Sequence, residues 1–192
     1  MEWERLGSRL AYDGWVKVRR DTYRLPNGVE SDWDVIESAD AVAILAITPD
    51  AEVLTFTQFR SGPARVLQEA PGGAIEAGEP VVDAARRKLR EETGYAADHF
   101  IDAGGAWDSS NATRRKSLVF AVGARRVQEQ SLDAEEFGEV STISLDAFAA
   151  LVASGELTDA GIIAFALLRL RRGAIEVPPA ARPLLDQLLA AV

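Results

Sequence analysis

The sequence predicts an α+β sandwich, with strands and helices that mix along the chain but do not alternate strictly as βαβ units. Three observations carry this. Alternating, strand-like segments fill the first part of the chain, and Asn27-Gly28 between two of them is a strong hairpin signal. Residues 41–47 are almost wholly apolar, as in a strand buried on both faces. Residues 80–93 carry the spacing and end signals of a long amphipathic helix.

Taken in order, Trp15-Val16-Lys17-Val18 alternates, Tyr23-Arg24-Leu25 leads into Pro26-Asn27-Gly28, and residues 29–36 alternate again. The apolar strand at 41–47 and a second at 53–58 are joined by a turn around Pro49-Asp50. Residues 66–69 are short and extended, and Pro71-Gly72-Gly73 forces a loop. In the helix at 80–93 proline occupies the first turn, Gly94 follows the end, and Val82, Ala85 and Leu89 make an apolar stripe. Strands are expected at 100–106, 117–122 and 140–143. Helices are expected at 145–153 and at 159–171, the second capped by Thr158 or Asp159. The stretch from Val177 through two prolines reads as a linker to a short final helix at 184–191.

The organisation expected is an N-terminal β segment over residues 1–38, a main domain over 39–173 and a tail over 174–192. Hydrophobic residues make up 47% and charged residues 27% of the chain, which suits a folded domain. No apolar run is long enough to span a bilayer and the first residues do not resemble a signal peptide, so a cytoplasmic protein is the expectation. Zero cysteines exclude a disulfide framework or a cysteine nucleophile, and the single His99 rules out a histidine cluster. A net charge of -9 argues against a nucleic-acid partner but is compatible with a small phosphorylated ligand brought in with a divalent cation.

From Gly72 the chain reads GGAIEAGEPVVDAARRKLREETGY. At about 100° per residue, positions 88, 91 and 92 share roughly a third of the helix circumference, in a sector expected to lie away from the Val82/Ala85/Leu89 stripe. Clustered carboxylates repel unless a hard cation sits among them, and metals held there can polarise a phosphoryl oxygen. Gly73, Glu79, Arg87, Leu89, Glu91, Glu92, Gly94 and Tyr95 stand at the spacing of the Nudix box, so the chain resembles that family. The resemblance implies a Nudix-type α/β/α sandwich with a mixed sheet and an N-terminal β arm. It makes Glu91, Glu92 and the carbonyl of Gly72 metal ligands, for Mg2+ or Mn2+. It makes Gly73, Glu79, Arg87 and Gly94 structural, with Glu79 and Arg87 as an ion pair.

Beyond the box, Gln58-Phe59-Arg60 and residues 67–73 resemble the ADP-ribose and nucleotide-sugar pyrophosphatase subgroup. That resemblance implies substrate contacts from Arg60 and Glu69, and a water-activating base at Glu135 or Glu136. It also implies a homodimer exchanging its N-terminal arms, with Trp33 or Trp15 available to stack on a base. The basic loop at 109–116 lacks a proline usual in relatives specialised for ADP-ribose, which leaves the base and sugar open. That loop reads either as a phosphate contact or as a solvated segment.

The departure from the pattern is Lys88, where the box has glutamate. Its spacing allows an ion pair with Glu92, and its charge repels a nearby cation. Three readings stay open for it: an inactivating substitution, an enzyme that gathers metal through other acids, or a binder that has lost catalysis. The implied activity is therefore Mg2+-dependent hydrolysis of a nucleoside diphosphate linked to another group, reduced or abolished by Lys88. The alternative is a non-catalytic nucleotide-sugar binding or regulatory module.

Overall fold

A computed structural model describes residues 2–132 and 136–192. The chain runs β1 (Glu4–Asp13), β2 (Lys17–Arg24), β3 (Glu30–Glu37), β4 (Ala41–Ile47), β5 (Glu52–Arg60), β6 (Arg65–Glu69), β7 (Gly72–Ala74) and α1 (Val81–Thr93). It continues with β8 (Tyr95–Ala96), β9 (His99–Trp107), β10 (Arg115–Val122), β11 (Arg125–Arg126), β12 (Gly138–Ser144), α2 (Leu145–Ser154), α3 (Ala160–Arg171) and α4 (Arg182–Ala191).

The central mixed sheet has the order β12-β5-β4-β10-β9, with β6 paired to β5 and β7 to β4. β4 and β10 are parallel, and their neighbours in the order pair antiparallel. Every residue of β4 is buried, and its alternation explains why. Ala43, Leu45 and Ile47 face a core with Phe148 of α2, Ile163 and Leu170 of α3 and Leu185 and Leu188 of α4. Val42, Ile44 and Ala46 face the other way, against Ala84, Ala85 and Leu89 of α1. Two buried faces need an apolar residue at each position, so the unbroken apolar run is what the layered fold requires. The result is an α/β/α sandwich. The C-terminal helix α4 packs into the larger core.

The N-terminal sheet β1-β2-β3 is antiparallel and separate, a β arm. All ten residues of β1 are exposed, and register shifts interrupt its pairing between Arg5 and Gly7 and between Leu10 and Tyr12. The arm meets the domain where Ile36 bridges Ala112, its N–H donating to the Asn111 carbonyl at 2.8 Å and its own carbonyl accepting from Thr113 at 2.9 Å. Asp21 is fully buried in the arm. Burial works against its charge, but hydrogen bonds from Ser8 and Arg19 and the charges of Arg19 and Arg5 outweigh that and lower its pKa.

No helix among the described residues is long and apolar enough to cross a membrane. His99 opens the edge strand β9, half-buried.

Candidate active site

The site forms where β5, β6 and β7 meet α1. Gly72 and Gly73 let these elements approach. β7 lies against β4 with Ala43 opposite Gly72 and Val42 opposite Gly73, and a Cβ on Gly72 would collide with the Val42 carbonyl and reach 3.0 Å from the Ala43 Cα. Helix α1 starts after Pro80 and ends at Gly94, whose φ of 74° is left-handed and whose N–H donates to the Arg90 carbonyl at 2.9 Å.

The face that α1 turns to β7 corrects the sequence reading. Glu92 is only 5% exposed, and the Lys88 side chain 16%. Neither lies in a solvent-facing sector apart from the apolar stripe. In projection Glu92 falls about 20° from Ala85, since seven steps of about 100° nearly close two turns. Glu91, further round, is 41% exposed at its side chain.

Glu92 is the hub. Its Oε2 accepts from the Gly72 N–H at 2.9 Å, and burial pushes its pKa up to about 7 against the opposing pull of that hydrogen bond. The charges of Lys88 and Arg60 lower the pKa and that of Glu136 raises it, so all three side chains act on one carboxylate. Lys88 lays its stem against Gly73, where an added Cβ would stand 3.0 Å from Cε and 3.2 Å from Cδ. Its Nζ lies 3.5 Å from Glu91 Oε2. The expected ion pair with Glu92 is thus replaced by one with Glu91, because the Glu92 carboxylate is held back by β7.

Arg87 reaches Glu79 through two bonds, Nε to Oε1 at 2.9 Å and Nη2 to Oε2 at 2.7 Å, and also lies 3.3 Å from Glu91 Oε2. The Arg87 hydrogen bonds, with the Glu76 N–H, hold Glu79 down to a pKa of about 2. This fork clamps the segment between β7 and α1.

A second buried carboxylate, Glu69, is 0% exposed. It accepts from Arg60 Nε, from the Thr158 hydroxyl and from the Gln58 amide at 3.4 Å. Glu69 thereby fixes Arg60 through Nε, and among the described residues the half-exposed guanidinium makes no other side-chain hydrogen bond. Asp159 stands at the N-cap position of α3 but makes no side-chain cap bond, since it pairs with Lys116, and the Thr158 hydroxyl serves Glu69. Gln58 and Thr158 were not singled out as site residues from sequence. The signal for Gln58 was its position two residues before Arg60 on the same face of β5. Thr158 lies in the segment 155–160, which resembles the same subgroup, but its contact with Glu69 is remote along the chain and no local pattern predicts it.

The other candidates fall out as follows. Glu136 is exposed, and its charge reaches Glu92. Glu135 lies outside the described residues. Trp33 is on β3 of the arm, 47% exposed, edge-on to Trp3 with ring centroids 5.6 Å apart, and Trp15 is fully exposed, so neither is a core residue. The loop at 109–116 is part solvated and part tied down: Ser109, Ser110, Asn111 and Arg115 are exposed, and three contacts anchor its end. Arg114 donates to the Ala39 carbonyl at 3.0 Å, the Arg115 N–H to Asp40 at 2.8 Å, and Lys116 meets Asp159.

These donors fit a resident metal poorly. One oxygen of Glu92 is held by a backbone N–H, Glu91 is shared between Arg87 and Lys88, and an ammonium stands beside both. Among the described residues no three Asp, Glu or His side chains form a group that could hold a metal ion.

Comparison with known families matches residues 37–164 to the NUDIX domain. An ADP-ribose pyrophosphatase of Bacillus subtilis is 35% identical over 138 residues, covering 71% of this chain and 75% of that protein. A methanol dehydrogenase activator of Bacillus methanolicus is 31% identical over 138 residues, covering 68% and 72%. A crystal structure of an ADP compounds hydrolase superposes with a TM-score of 0.77 at 19% identity, covering 91% of this chain and 96% of that one, a likeness of fold.

Proposed function

The chain belongs to the Nudix family, and on that premise we propose that it acts on a nucleoside diphosphate linked to another group, of the ADP-ribose or nucleotide-sugar type. The observation that carries this reading is the buried Glu92, held by the Gly72 N–H beside the Glu79–Arg87 clamp, with the charges of Arg60, Lys88 and Glu136 acting on it. Two cations over an acidic helix suit a diphosphate flanked by bulkier groups. The ADP-ribose pyrophosphatase of Bacillus subtilis among its relatives supports the substrate class.

In this reading Arg60, fixed by Glu69, clamps the diphosphate. Water attacks one phosphorus, the bond to the bridging oxygen breaks, and two monophosphates leave. Glu136, or Glu135 beside it in sequence, orients the water. Gly72, Glu91 and Glu92 stay assigned as the family's ligand positions. The donors fit a resident ion poorly, so Mg2+, or Mn2+ in its place, would be needed for turnover and not for holding the diphosphate, and would supply polarisation of a phosphoryl oxygen. Lys88 lowers turnover by removing one carboxylate and adding a positive charge.

We assign residues 1–38 to an arm, 39–173 to the catalytic domain and 174–192 to a tail. The protein is placed in the cytoplasm as a homodimer whose arms cover one another, bringing Trp33 toward the partner's nucleotide. The second reading, a binding or regulatory module, is favoured by Lys88 and by the resemblance to an activator protein.

The test is release of monophosphates from ADP-ribose and a panel of nucleotide sugars with Mg2+ or Mn2+, by this chain and by Lys88→Glu. The hydrolase reading expects turnover to rise by orders of magnitude in the variant. No turnover by either chain, with tight ligand binding, favours the module.

A further inference from the structure

We infer that Lys88 makes this cleft a receptor for a diphosphate-linked ligand that binds without a divalent metal, the lysine ammonium serving as the built-in cation. The inference rests on the substrate class proposed above and adds what neutralises the ligand.

The geometry supports it at each step. Lys88 is held in place: its stem is packed on Gly73 and its side chain is mostly buried, so the ammonium cannot swing freely into solvent. A partly buried ammonium needs compensating negative charge. Its ion pair within 4 Å among the described residues is with Glu91, at 3.5 Å, a separation longer than a good hydrogen bond. Glu91 is itself shared with Arg87 at 3.3 Å. An ammonium carries three donors, so Lys88 is left with hydrogen-bonding capacity that a phosphate oxygen would satisfy.

Arg60 is a second cation near this carboxylate: from β5 its charge acts on Glu92, as that of Lys88 does from α1. With Nε committed to Glu69, Arg60 presents its terminal nitrogens, the edge that binds phosphate. A glutamate at 88 would make the local charge two units more negative, because -1 would replace +1. Such a site would need a divalent ion before it could accept an anion. With lysine the requirement is reversed, and a metal must overcome repulsion to enter.

The experiment is calorimetric titration of the whole chain with ADP-ribose, in EDTA and in Mg2+, repeated with Lys88→Met and Lys88→Glu. The unaltered chain should bind in EDTA, with Mg2+ changing its Kd by less than about threefold, and binding should weaken as salt is raised. Lys88→Met should lose about tenfold or more in EDTA, as expected for removal of a charge-assisted phosphate contact. Lys88→Glu should lose more and recover with Mg2+. Should either variant fail to fold, the EDTA and Mg2+ arms of the unaltered chain decide alone. Binding by the unaltered chain only when Mg2+ is present overturns the inference and leaves the proposed substrate class standing. Equal affinity of Lys88→Met in EDTA overturns it too. If no chain binds or hydrolyses ADP-ribose or any nucleotide sugar under any condition, both readings fall together.

Discussion

Replacing Glu69 by glutamine is expected to lower the melting temperature by about 4–8 °C. The carboxylate is fully buried and accepts from three donors, Arg60 Nε, the Thr158 hydroxyl and the Gln58 amide. Glutamine keeps the shape but turns one oxygen into a donor. Its best orientation keeps oxygen toward Arg60 and points the amide at Thr158, whose hydroxyl can rotate to accept. Arg60 and Gln58 share one oxygen and keep it, but the Thr158 hydroxyl, once turned to accept, has lost the acceptor for its own proton, and Arg60 loses its opposite charge. Leaving a buried donor unmatched costs about 1–3 kcal/mol. The lost ion pair adds little, because the Arg60 side chain is 40% exposed and screened by water. A total of about 2 kcal/mol, at about 2–4 °C per kcal/mol for a chain of this size, gives the stated drop. Glu69→Ala removes every acceptor and should fall further. Thermal unfolding followed by circular dichroism reads both variants. A shift below about 1 °C for glutamine, or equal shifts for the two variants, would refute the claim that the carboxylate's acceptors hold this junction.

Two other outcomes follow from the clamp and the arm. Glu79 has a folded-state pKa of about 2 against an ordinary 4.5, chiefly through its Arg87 hydrogen bonds. Its stabilisation is therefore complete above 4.5 and drains away as pH falls toward 2. Urea midpoints of the unaltered chain and Glu79→Gln should differ at pH 6 and converge by about pH 2; a constant gap across that range contradicts the assignment. The arm exposes Trp3, Leu10, Tyr12, Trp15 and Trp33, more apolar surface than a free β sheet tolerates in water. Sedimentation should find a dimer that Leu10→Asp with Trp15→Asp converts to monomer, and a monomeric unaltered chain at working concentration rules out the arm-covered dimer.

How much was legible in the sequence depended on whether neighbours in space were neighbours in a regular pattern. β4 was readable because burial on both faces forces one residue class at every position. The strand β1 was not singled out, because all ten residues are exposed and two register shifts break its alternation. The Glu79–Arg87 fork lies within a short stretch at box spacing, so the motif carried it. The Arg60–Glu69–Thr158 junction joins β5, β6 and the turn before α3, and no local pattern encodes it.

The instructive case is α1, where the periodicity was present but assigned to the wrong face. Val82, Ala85 and Leu89 share a side, yet the helix buries Ala84, Ala85 and Leu89 together with Glu92, which places positions 88 and 92 within the packed face. A charged residue at the centre of a buried helical face signals either instability or a site. Here the glycines of β7 remove the side chains that would otherwise crowd it, and a backbone N–H receives Glu92. Lys88 fits the same slot by packing its methylenes on Gly73 while its head stays near Glu91, as long cationic side chains do at an apolar boundary. What position 88 alters is the sign of the field on Glu92 and on whatever ligand lies over it.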